Sequence, residues 1–136
     1  MRVIVNTVLA LTSSCMAAFA TSSYFNKGKF SMEDVLNATL AGGVIIGTTS
    51  DMMTHPALPI VVGFLGGVVS SYGFNKLNFD FHDTCGVNNL HGIPGVLGGL
   101  TSVIMVMVMG DDPNAASIWA KMAPNEDGTP GRDKMT

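Results

Sequence analysis

The charged residues of this chain fall in clusters: Lys27 and Lys29, Glu33 and Asp34, Lys76 to Asp83, then a tail from Asp111. Between the clusters run long stretches almost without charge, the longest divided by the lone Asp51, and four segments read as bilayer-spanning helices. In hydrocarbon a backbone must satisfy its own hydrogen bonds, which leaves helices or a closed barrel. Length and composition favour helices here, giving an all-α membrane protein. The expected spans are about 3–25, 31–52, 58–77 and 85–109, with 1–110 as one membrane domain and 111–136 as an extracellular loop. Only 12% of the 136 residues are charged and 47% are hydrophobic, against roughly a quarter charged in soluble domains.

The first span carries Asn6, Thr7, Thr12, Ser13 and Ser14, which suit an interhelical face better than lipid. Its start resembles a signal peptide, with Arg2 ahead of apolar residues and small residues at Ala17, Ala18 and Ala20. It is long enough to span, however, and is read as a helix. Ser31 with Asp34 three residues on is a capping-box variant that opens the second span. Pro56 and Pro59 punctuate the loop before the third.

Three spans carry small residues four apart: Gly43 and Gly47, Gly63 and Gly67, Gly95 and Gly99. That spacing lets helix backbones approach closely in lipid, and its recurrence predicts a tightly packed bundle. Asn37 begins a glycosylation sequon but lies inside a span, where it is expected to pack. Lys27, Lys29 and Lys76 fall in the first and third loops, whereas the second has no Lys or Arg. The lysine-bearing loops are therefore expected inside the cell and the N-terminus outside, with Arg2 opposing this mildly. The tail from Asp112 reads as a long outer loop with Trp119 at the headgroups. It ends without a closing element, so the chain is expected to be truncated.

The chemistry-bearing residues lie between Phe81 and Gly95. His91 is an ionisable group at membrane depth, at a cost on the order of a few kcal/mol, which marks such residues as functional. A neutral imidazole both donates and accepts hydrogen bonds, so it could hold a small polar solute in an apolar passage. The alternative is a buried histidine bonded to a neighbouring helix. Val87 lies four residues before His91 and would share its face on an α-helix. Asp83 is either a cap at the start of the fourth helix or a carboxylate at a pore mouth. His82, Cys85 and His91 are spaced too irregularly to converge on zinc. No nucleophile–base pair can be read, so no enzyme activity and no cofactor are expected. A net charge of −3 without a basic stripe argues against a nucleic-acid partner. Cys15 and Cys85 read as small apolar side chains, and the ten methionines as filler.

The runs Asn37 to Val44 and His82 to Gly95, with Val5 to Val8 in the first span, resemble the Rh (rhesus) glycoprotein branch of the ammonium transporter family. The likeness extends over nearly the whole chain. It implies a channel of eleven or twelve spanning helices, usually a homotrimer in the plasma membrane with a pore in each subunit. This chain is similar to the stretch from about the seventh to the tenth helix. The family pore carries two hydrogen-bonded histidines, of which His91 matches the second. Val87 matches an apolar wall position and Asp83 the carboxylate near the cytoplasmic mouth. The resemblance implies that ammonium is recruited outside, loses its proton, and passes as ammonia along the histidines. Stripping the charge avoids carrying an ion through a low-dielectric passage.

The helix bearing the first histidine, the gating phenylalanines and the last span have no counterpart here. Neither His55 nor His82 aligns with the first histidine. The chain alone is therefore expected not to transport. The rival expectation is a structural membrane subunit of the same fold that does not conduct and serves as a partner or anchor.

Overall fold

A computed structural model describes residues 1–76 and 85–109. The described residues form helices α1 (Arg2–Phe25), α2 (Met32–Ile46), α3 (Ala57–Lys76) and α4 (Ile93–Met109), with a π-helical turn, Asn88–Gly92, leading into α4. Among the described residues, three helical stretches are long and apolar enough to cross a membrane: Arg2–Phe25, Ala57–Lys76 and Asn88–Val108. α1 packs along both α2 and α3, and α4 leans mainly on α2.

α1 ends where its sequence turns polar. Lys27 takes the left-handed conformation at φ 53°, and the Gly28 N–H returns to the Ser23 carbonyl at 2.9 Å. This is the Schellman arrangement, with Lys27 in the place glycine usually holds. Gly28, at φ 85°, then reverses the chain toward α2.

The Ser31 hydroxyl caps α2 by accepting the Asp34 N–H at 3.3 Å. The other half of the expected capping box does not form. The Ser31 N–H donates instead to Ser22 Oγ at 2.9 Å. Asp34 Oδ2 accepts from Asn26 Nδ2 at 3.3 Å and from Asn75 Nδ2 at 3.0 Å. One buried carboxylate thereby ties together the end of α1, the start of α2 and the end of α3.

α2 stops at Ile46, short of the expected Met52. The residues that follow, Gly47-Thr48-Thr49-Ser50, are poor helix formers, and tertiary bonds hold them in successive turns. Asn6 Nδ2 donates to the carbonyls of Ser50 and Met53, each at 2.8 Å. Thr48 Oγ1 donates to the Gly98 carbonyl at 3.0 Å.

The fourth helix also begins later than the expected Cys85. Gly86 lies at φ 64°, outside the right-handed region, and the Phe74 ring covers the side a Cβ would occupy. Helical geometry begins only beyond it. Pro94 is buried at the second residue of α4, directly after the π turn.

Small residues make up much of the core: Ala10, Ala17 and Ala18 of α1 and Ala38 and Ala41 of α2 are buried, and Ala10 clusters with Ile46, Met52, Met53 and Met105. A Cβ at Gly63 would strike the Ala10 carbonyl, and one at Gly67 would stand 2.6 Å from the Ser14 carbonyl. Gly43 makes a looser approach to Leu11, at 3.1 Å. Gly47 meets only its own helix, whereas Gly95 and Gly99 meet nothing within 4 Å. The close contacts of α2 and α4 run through different glycines. Gly42 faces Ser14 and Ala10 of α1, Gly66 faces Ile45, and Gly98 faces the Ile45 carbonyl at 2.7 Å.

Candidate functional site

The residues around His91 are set by the π-helical turn. Within Asn88–Gly92 the Ile93 N–H closes on the Asn88 carbonyl, five residues back, in place of the usual four. Single π turns inside α-helices recur at functional sites, and here the wider turn sits just before Pro94. Val87 is 50% exposed and His91 is also exposed.

The turn has a buried side and an open side. Asn89 is its buried residue, pressed against Gly73 of α3. His91 and Gly92 face outward. Along α4, Gly95 and Gly99 follow His91 at intervals of four, exposed like it. Beside them lies an open apolar hollow of about 320 Å³, lined by Asn88, Gly92, Ile93, Val96 and Leu97. A histidine flanked by glycines and aliphatic residues can exchange hydrogen bonds with a small solute while its surroundings offer few competing polar groups.

Asp83 and His82 lie outside the described residues, as does the tail from Gly110. Asn37 is half-buried on α2. His55 is exposed ahead of α3, and Leu58 donates its N–H to the His55 carbonyl at 3.1 Å. Among the described residues no group of three or more His, Cys, Asp or Glu could hold a metal ion. Sequence reasoning passed over Asn89, Gly73 and Gly86. The available signal was two consecutive asparagines, Asn88 and Asn89, just ahead of a membrane-depth histidine.

A family model described as the Ammonium Transporter Family matches residues 1–126. Ammonium transporter Rh type A of Bos taurus is 46% identical over 118 residues, covering 82% of this chain and 28% of that protein. Ammonium transporter Rh type B of Mus musculus is 44% identical, covering 76% and 24%. Among solved structures, Nitrosomonas europaea Rh50, studied for the mechanism of conduction by the Rhesus protein family of channels, superposes with a TM-score of 0.74. Its sequence identity is 43%, and the match covers 77% of this chain and 29% of that one. The chain thus spans about a quarter of the length of the relatives it matches. With nearly its whole length matched, the chain belongs to the ammonium transporter family, its similarity lying on the Rh side.

Proposed function

We propose that these four helices are part of a membrane channel conducting ammonia/ammonium through a histidine-lined apolar pore. His91 and Val87 stand on the pore wall, and Asp83 lies at its cytoplasmic mouth. The observation that carries this reading is His91 itself. It sits on a π-helical turn that interrupts an apolar helix, and it is exposed beside an aliphatic hollow.

The complete channel is a homotrimer in the plasma membrane, with the remaining helices closing each pore. Four helices do not enclose a passage, so this chain by itself does not transport. In the complete channel His91 exchanges hydrogen bonds with the uncharged solute, sparing an ion the low-dielectric stretch.

The test is ammonia or methylamine flux into cells expressing the full-length parent, with and without His91→Ala. The expected result is a changed flux or a changed pH dependence of flux. If both proteins carry solute identically, His91 is a packing residue, and a non-conducting structural subunit becomes the better account.

A further inference from the structure

Two consecutive residues near the end of α3, Gly73 and Phe74, hold the segment that carries His91. The Phe74 ring lies over Gly86, whose left-handed backbone leaves no room for a Cβ on that side. Gly73 receives Asn89: a Cβ on Gly73 would stand 2.5 Å from Asn89 Oδ1, 2.9 Å from its Cγ and 3.3 Å from its Cβ. Asn89 is only 7% exposed, and its Oδ1 accepts no hydrogen bond among the described residues. Its fit is therefore one of shape: this amide goes where α3 lacks a side chain.

The π turn is continuous with α4, so a contact that seats one of its residues against α3 also sets the direction in which the others face. Of Asn88–Gly92, Asn89 is the buried member and His91, two residues on, is exposed. We propose that Gly73 and Asn89 form a positioning pair that fixes the rotation of the π turn and so the direction in which His91 points. The effect on conduction rests on the reading that His91 lines the pore; the positional claim does not.

A methyl group on Gly73 drives Asn89 outward and turns the segment, which misdirects His91. Removing the Asn89 amide in the same protein makes room for that methyl and lets the segment return.

The experiment uses the full-length parent with Cys15 and Cys85 replaced by Ser and two readouts. The first is the rate at which a thiol reagent labels His91→Cys. Gly73→Ala is expected to change that rate several-fold, and adding Asn89→Ala to bring it back toward the starting value. The second readout, with His91 present, is methylamine flux against pH. Gly73→Ala is expected to alter it, and the double variant to recover it in part. An unchanged labelling rate in Gly73→Ala overturns the proposal, as does a double variant no closer to the parent than Gly73→Ala. Altered labelling with a flux insensitive to both Gly73→Ala and His91→Ala leaves the pair standing and sinks the pore reading instead. If Gly73→Ala does not reach the membrane, Asn89→Ser, which shortens the side chain held at Gly73, takes its place. Unchanged labelling in that variant likewise overturns the proposal.

Discussion

Asn6 governs the turn after α2. Its amide donates to two carbonyls, Ser50 and Met53, on a stretch where the helix has stopped supplying partners. Asn6→Leu should leave both carbonyls without that donor and lower stability by about 1–3 kcal/mol. A clear drop in the midpoint of thermal unfolding in detergent checks this, and an unmoved midpoint contradicts it. The polar residues of the first span were legible as a group, but their separate roles were not. Thr7 and Thr12 return their hydroxyls to the Val3 and Val8 carbonyls of the same helix, so they tolerate exposure. Ser14 instead reaches across to the Ala38 carbonyl at 2.5 Å. Whether a polar side chain returns to its own helix or crosses to a neighbour depends on which face it occupies, and Asn6 and Ser14 are both buried.

Between helices, spacing revealed that backbones approach closely but not which backbones. Gly42 and Gly43 are neighbours in sequence and point in different directions around α2. One is pressed on Ser14, and the other grazes Leu11. Which of them lies on the seam depends on where α1 runs, and a four-residue repeat does not carry that information. In the third span Gly63 and Gly67 both fall on the line of contact with α1. Gly63→Ala should therefore destabilise this chain by about 1–3 kcal/mol, since the new methyl meets backbone that cannot move aside cheaply. Gly99→Ala, facing open space, should change stability by less than about 0.5 kcal/mol. Comparing the two unfolding midpoints in one detergent tests the assignment, and equal losses would refute it.

At the scale of the whole molecule the order of helices was legible, because charge clusters mark the first and third loops and Pro56 and Pro59 mark the second. The helix ends were not. Asp34 looked like a local cap and proved to be the acceptor shared by Asn26 and Asn75, residues far apart in sequence. The carboxylate places the Lys27–Lys29 turn and Lys76 at one end of the bundle, whereas Asn6, Ser50 and Met53 gather at the other. With the lysine end inside, Lys29→Cys should react with an impermeant thiol reagent only after cells are opened, and His55→Cys should react in intact cells. The reverse pattern would invert the orientation.

The early stop of α2 has a consequence for the surrounding lipid. Fifteen residues rise about 22 Å, whereas the hydrocarbon layer is about 30 Å deep. Acyl chains beside α2 therefore meet a short wall, and the turn above it borrows its polar partners from α1 and α4. A bilayer of longer lipids has to thin at that flank or the bundle has to lean, so chain length in the host membrane becomes a variable to which this side of the protein responds.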